Sequence, residues 1–136
     1  MELDKSFAIA FAGMSAQSER LKVIAENIAN ADSTAQTPNA DPYKRKIISF
    51  EDELDKKLGV DMVKVSGVSQ VQGGFGSVYE PGSPAADANG YVKTPNVNPI
   101  TEMMDMREAQ RSYDANLNVI DAAKAMLSRT IDLLRG

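Results

Sequence analysis

The segment from Pro99 to Arg135 carries an apolar repeat of seven residues, the pattern of a long helix that packs against other helices. The repeat consists of Met106, Tyr113, Ile120, Leu127 and Leu134. Asn98 and Pro99 suit a helix start, since Asn caps free amides and Pro at the first position loses no hydrogen bond. At about 1.5 Å per residue the helix extends on the order of 50 Å, longer than any core a chain of this size can build. It therefore needs a partner along its length.

The first residues of the chain, Leu3 to Ala31, carry a matching apolar seam. Its members are Phe7, Met14, Leu21 and Ile28. Two seams at opposite ends of one chain predict that the helices pair as an antiparallel coiled coil. Both apolar arcs are wider than such a pair uses, because Ile9 and Val23 widen the first and Val119 and Leu133 widen the second. The surplus predicts self-assembly or insertion into a bundle made by other chains.

The middle of the chain predicts a small insert rich in β-hairpins. Turn-forming residues cluster from Asn27 to Pro42 and end the first helix. Strands are predicted at Tyr43–Phe50, at Val60–Val71 as one or two strands interrupted at Gly67, around Phe75 to Tyr79, and at Tyr91–Thr94. Glu51–Leu58 fits either a helical turn or a loop. Asn89 and Gly90 predict a type I′ hairpin turn, which needs positive φ at both residues.

These elements predict an α+β fold that is mainly α. Residues 1–32 form the N-terminal core helix, residues 33–97 the loop and insert, and residues 98–136 the C-terminal core helix. We expect 1–32 and 98–136 to form one discontinuous helical domain.

The composition argues against most chemistry. With no His and no Cys, the usual proton shuttle and the most reactive nucleophile are missing, so we expect no enzyme, no cofactor and no metal site. A net charge of -4 argues against nucleic acid. The longest apolar run, Phe7 to Met14, is too short to span a membrane, and the MELDK before it is not the positive start of a cleaved signal peptide.

Asn27 and Asn30 stand at the end of the first apolar helix. Each is either a stop residue or a buried polar group that fixes the register between helices. The sequence leaves both interpretations open.

Two segments resemble the bacterial flagellar rod and hook proteins. NIANADST, Asn27 to Thr34, resembles the Asn-Leu-Ala-Asn-x-x-Thr signature that ends the N-terminal helix of that family. The run from Gly82 to Ile120 is similar to a block found in members from the proximal rod. Its matching positions are Gly82, Pro84, Asp87, Asn89, Gly90, Tyr91, Val92, Pro95, Asn96, Val97, Glu102, Met103, Arg111, Tyr113 and Asn116. Ser83 departs from the block, where Asn is common.

The resemblance implies that the terminal helices pack with those of neighbouring subunits into the core tube of a torque-transmitting rod, with the insert outside. The implied partners are copies of the chain itself, other proximal and distal rod subunits, the ring-to-rod adaptor and the flagellar type III export apparatus. The implied location is the periplasmic rod of the basal body, reached without a cleaved signal peptide. The rival interpretation is a soluble helical adaptor or export chaperone that acts as a discrete dimer.

Overall fold

The chain begins and ends with a long helix, and four strands lie between them in sequence. The structure is a computed structural model that describes residues 2–136. Its elements are α1 (Glu2–Ala29), β1 (Lys46–Asp55), β2 (Val60–Gln70), β3 (Gly76–Tyr79), β4 (Tyr91–Thr94) and α2 (Pro99–Arg135). The mainly helical α+β fold and both terminal helices are confirmed.

Helix α2 begins where the sequence predicts, and the cap explains why. The Asn98 side-chain oxygen accepts hydrogen bonds from the backbone amides of Ile100 at 3.1 Å and Thr101 at 3.4 Å. The Asn98 carbonyl accepts from the amide of Glu102 at 3.0 Å. These bonds satisfy amides that have no partner inside the helix.

The strands form two separate two-stranded antiparallel sheets, β1 with β2 and β3 with β4. In the second sheet Tyr79 lies opposite Tyr91 and Gly76 opposite Thr94. Eleven residues connect these two strands, so β4 returns through a long loop rather than a two-residue turn.

Three local expectations from the sequence are wrong. Glu51 to Asp55 continues strand β1, and only the residues after Asp55 turn, because the partner strand β2 extends the pairing. Gly67 does not interrupt β2. The Asn89–Gly90 turn is not type I′, since Gly90 has a φ of 84° while no non-glycine residue in 2–136 has positive φ.

The described residues fall into two compact units. The first unit takes in α1 up to Leu21, the segment Ser49–Gly67 and the chain from Arg107 onwards. The second unit consists of Lys22–Ile48 and Val68–Met106. Each unit thus takes part of both helices and part of the insert.

In the first unit, α1 and α2 approach closely in antiparallel order. A Cβ atom added to Gly13 would lie 2.6 Å from the side-chain nitrogen of Asn116. One ion pair, Arg20 to Glu108 at 3.6 Å, lies further along α1 and further back along α2. The buried residues here are mostly small and are Ala10, Ala16, Ala109, Ile120 and Ala123. Small side chains allow the two backbones to come close.

The second unit has its own core, which includes Val23 and Ile24 of α1 and Val92 of β4. Two charged or polar side chains, Asn27 and Glu102, are buried there to about the same degree as the core alanines. Within residues 2–136, no helix combines the length and apolar character needed to cross a membrane.

We predict that Gly13→Ala lowers stability by about 1 kcal/mol, although Ala is the better helix former by about 1 kcal/mol. In the unaltered chain the Asn116 side chain donates to the Ser112 carbonyl at 3.1 Å. The added methyl group displaces this side chain, and such overpacking costs about 1 to 3 kcal/mol. Thermal unfolding followed by circular dichroism at one fixed concentration measures the change.

The matched control is the same substitution in an Asn116→Ala background. There the obstacle is gone, so Gly13→Ala should raise stability by about 1 kcal/mol. If Gly13→Ala has the same effect in both backgrounds, the close contact between the helices is not present.

Candidate functional site

The most completely bonded polar side chain in the second unit is that of Asn27, which is only 1% exposed. Its amide nitrogen donates to the Lys46 carbonyl at 2.8 Å and to the Glu102 carboxylate at 3.2 Å. Its oxygen accepts from the Lys46 amide at 2.9 Å and from the Tyr43 hydroxyl at 2.8 Å. All the hydrogen-bonding capacity of the side chain is used, which a buried amide requires.

Glu102, in the first turn of α2, is also 1% exposed. One carboxylate oxygen accepts from Asn27, and the other pairs with the guanidinium of Arg45. Arg45 also lies 3.5 Å from the carboxylate of Asp105. A buried carboxylate costs several kcal/mol unless it is paired and hydrogen-bonded, and both conditions are met here.

A second asparagine bonds to the backbone at the start of β1. The Asn96 oxygen accepts from the Arg45 amide at 2.7 Å, and its nitrogen donates to the carbonyls of Val71 and Gly73 at 2.9 and 2.8 Å. The Val71 amide in turn donates to the Arg45 carbonyl at 2.8 Å. We call the whole group the polar cluster; its members are Asn27, Tyr43, Arg45, Lys46, Asn96, Glu102 and Asp105.

Glu26 forms an ion pair at 2.9 Å with Lys46 of the polar cluster. The hydrogen bond from Lys46 lowers the pKa of Glu26, and the same bond raises the pKa of Lys46. Burial raises the pKa of Tyr43. Tyr43 is therefore a neutral hydroxyl that donates to Asn27 over a wide pH range.

Asn30 lies outside the polar cluster. Its side chain donates to the Glu26 carbonyl at 2.8 Å, and its own carbonyl accepts from the Ser33 hydroxyl at 2.9 Å. These are bonds at a helix end. The two asparagines singled out in the sequence thus have different surroundings, one buried between chain segments and one at the end of α1.

The residues of the two predicted seams have different degrees of burial within the single chain. Ile120 is buried, while six others are half-buried: Phe7, Met14, Leu21, Ile28, Met106 and Tyr113. Leu127 and Leu134 are exposed, by 41% and 84%. Their packing between subunits stays a prediction, because a single chain does not contain the neighbours.

Asn89 and Gly90 lie in a turn that Asp87 organises. The Asp87 side chain accepts from the amides of Asn89 at 2.8 Å and Tyr91 at 3.0 Å, and its carbonyl accepts from the Gly90 amide at 3.0 Å. A side chain at Gly90 would meet the ring of Tyr79 at 2.8 Å. Gly90 is therefore required both for its positive φ and for the space it leaves.

Among members of the polar cluster, the local sequence pattern points only to Asn27, while Asn96 and Glu102 fall at positions that match the rod block. Glu102 in a first helical turn is typical of an exposed partner of the helix dipole, and Arg45 belongs to a run of three basic residues that resembles a solvated edge. No local sequence pattern predicts that Glu102 and Arg45 form an ion pair. In residues 2–136, no group of three or more acidic side chains is placed to hold a metal ion.

The chain matches known proteins at both ends and along its length. Residues 7–35 match the family model of the flagella basal body rod protein, and residues 88–133 match that of the flagellar basal body rod FlgEFG protein C-terminal region. Over 133 residues the chain is 53% identical to the flagellar basal-body rod protein FlgC of Agrobacterium fabrum, covering 98% of this chain and 96% of the relative.

Two further relatives carry the same name. The flagellar basal-body rod protein FlgC of Salmonella typhimurium is 44% identical, over 98% of each chain. That of Bacillus subtilis is 34% identical, over 94% of this chain and 95% of the relative. The two segments matched by the family models include Asn27 and Glu102.

We predict that Asn27→Ala lowers the free energy of unfolding by about 3 kcal/mol. It leaves the part-buried amide and carbonyl of Lys46 without the Asn27 side chain and removes a hydrogen bond from the buried Glu102 carboxylate, at about 1 to 3 kcal/mol for each unsatisfied group. Urea unfolding followed by circular dichroism, at one concentration for all variants, measures the loss.

The control for this substitution is Asn30→Ala, which removes one hydrogen bond to a helix-end carbonyl. We expect it to cost under about 1 kcal/mol. Equal losses for the two alanine variants would contradict the central position of Asn27.

A second prediction concerns pH. Because the pKa of Glu26 lies below its ordinary value of 4.5, the pair with Lys46 stabilises the folded chain above that pH and loses this effect as pH falls through the lowered pKa. The pKa of Lys46 is raised above 10.5, so the contribution is present below pH 10.5 and is lost as pH rises through the raised pKa.

The measurement compares the thermal midpoints of the chain and of Glu26→Gln from pH 7 down to pH 2. The difference should favour the unaltered chain at neutral pH and shrink in acid. A difference that stays constant across this range would show that the ion pair does not stabilise the fold.

Proposed function

The chain belongs to the family of the flagellar basal-body rod protein FlgC, and we propose that it builds the proximal part of the rod by packing its terminal helices against those of neighbouring subunits. As a member of this family it is a structural subunit of the flagellar rod. The family is one of structural proteins rather than enzymes, and no relative favours an adaptor or chaperone.

The observation that carries the packing proposal is the apolar surface left on α2. Large side chains along this helix are exposed in the single chain: Ile100, Met103, Met104, Leu117, Val119, Met126, Leu127, Ile131, Leu133 and Leu134. A large aliphatic side chain is worth about 1.5 to 3 kcal/mol when it is buried, so a surface of this extent favours assembly.

In the proposed rod, the two helices pair as an antiparallel coiled coil and contact copies of this chain and other proximal and distal rod subunits. Phe7, Met14, Leu21 and Ile28 of α1 pack with the seam of α2, and Asn27 and Asn30 set the register. The second seam consists of Met106, Tyr113, Ile120, Leu127 and Leu134. Support for this arrangement comes from the antiparallel order of the contacts Gly13 to Asn116 and Arg20 to Glu108.

Membership of the rod family supports the remaining parts of the proposal. The chain passes uncleaved through the flagellar type III export apparatus and assembles in the periplasm, where the rod transmits torque and meets the ring-to-rod adaptor. The turn at Asn89 and Gly90, in the loop between β3 and β4, faces a neighbouring subunit, and the exposed side chain of Asn89 allows such a contact.

We predict that Ile120→Asp and Leu127→Asp both abolish swimming. Ile120 is buried in the chain itself, so its loss acts on folding as well as on assembly. Leu127 is 41% exposed, so an aspartate there leaves the chain folded but places an unpaired charge in the contact between subunits. Motility in soft agar and electron microscopy of isolated basal bodies measure the effect.

The matched control is Gln110→Asp, which adds the same charge to an exposed position of α2 outside the seam. We expect normal rods and normal swimming. A motile strain with normal rods that carry Leu127→Asp would remove this residue from the subunit contact.

A further inference from the structure

We propose that the end of α2 in one copy of this chain docks into a groove on α1 and the β1–β2 sheet of a second copy. This inference rests on the proposed function, since it names one contact by which copies join in the rod. We call Ser128–Arg135 the helix tail. The groove is defined by the residues that line it.

The groove has a volume of about 370 Å³ and lies within the first unit. Ala12 and Ala16 of α1 line one side, and Met62 and Val65 of β2 line the other, so its lining is mainly apolar. Three charged residues also line it: Glu19, Glu53 and Lys64. An apolar groove with charged edges is the kind of surface into which the apolar face of a helix packs.

The helix tail has the matching composition. Ile131, Leu133 and Leu134 are exposed by 46%, 82% and 84%. Arg129 and Arg135 are exposed on the same segment and make no ion pair within residues 2–136. The tail therefore offers apolar side chains for the floor of the groove and a cation for Glu19 at its edge.

The lengths also agree. Eight helical residues extend about 12 Å, while the lining of the groove runs along α1 from Ala12 to Glu19, or about 10 Å. Of the two acidic residues, Glu53 already pairs with Lys64 at 3.0 Å. Glu19 makes no ion pair within residues 2–136, so it is the carboxylate that is open to an arginine of the tail.

The tail cannot fill the groove of its own chain. Gly13 of α1 lies against Asn116 of α2, and Arg20 pairs with Glu108. The stretch of α1 that lines the groove therefore lies beside the part of α2 around Tyr113. The middle of the tail is about eighteen residues further on, which is about 27 Å along a continuous helix. A tail that fills this groove therefore belongs to another copy.

A contact between two different patches of one chain is heterologous, and such contacts continue from copy to copy instead of closing into a dimer. Each copy would be displaced from the next by about 27 Å along the helix axis. A growing rod requires this kind of open contact, whereas a discrete dimer forbids it.

The experiment uses the absence of cysteine from the chain. Bacteria lacking their own copy of the gene express two versions together, Ser15→Cys in the groove and Leu134→Cys in the tail. Both positions are exposed, so neither substitution disturbs the folded chain. Isolated basal bodies are treated with a short bismaleimide, and the proteins are separated on a reducing gel. We expect a band at twice the mass of the chain, with both substituted peptides joined in its mass spectrum.

The matched control pairs Leu134→Cys with Ser49→Cys, an exposed serine of the same unit that does not line the groove. In this pair, the band at twice the mass of the chain should be no stronger than the one from either version expressed alone. A second test pair, Ser15→Cys with Leu133→Cys, replaces the first if the rods of that strain are incomplete.

Each outcome is decisive. Complete rods without the doubled band in either test pair, or with an equal band in the control, would overturn the docking proposal and leave the rod function intact. A link from the Ser15→Cys chain to a different rod protein would assign the groove to that protein instead of a second copy. Basal bodies that never contain the chain, even unaltered, would instead overturn the proposed function.

Discussion

The buried carboxylate of Glu102 is the constraint on which the second unit depends. An uncompensated charge at that depth costs several kcal/mol, and a marginally stable chain does not tolerate it. The compensation comes from Asn27 at the end of α1 and Arg45 just before β1. Three segments that are distant in sequence must therefore be in place together, which makes the packing in this unit cooperative.

Asparagine suits this cluster because its side chain carries the same donor and acceptor as a peptide group. Asn27 binds both the amide and the carbonyl of Lys46, as a neighbouring strand would. Asn96 likewise accepts from the backbone amide of Arg45 and donates to the carbonyls of Val71 and Gly73. An aspartate could not donate to these carbonyls, so the Asn-containing motif at the end of α1 has a physical reason that a simple helix stop would not supply.

The sequence alone predicted the helices well and the polar cluster poorly. Helix α2 matched its predicted bounds because its cap and repeat are local signals, and β4 matched for the same reason. Strand β1 runs past Phe50 because pairing with β2 overrides the acidic, turn-like composition of Glu51 to Asp55. The burial of Glu102 depends on Arg45, 57 residues away, and no periodicity within either segment encodes that distance.

In the first unit the small residues are buried, and many large apolar residues are exposed on the surface. Ala10, Ala16 and Ala109 are buried there, whereas Leu133 and Leu134 are largely in water. Burial free energy scales with apolar area, so the chain alone gains little from its alanines and leaves the larger gain unrealised. Close helix contact through small residues fixes the geometry of one subunit, and in the proposed rod the exposed large side chains provide the free energy of joining subunits. Under the proposed packing, assembly would add to the stability of each subunit, because binding that favours the folded chain shifts its unfolding equilibrium.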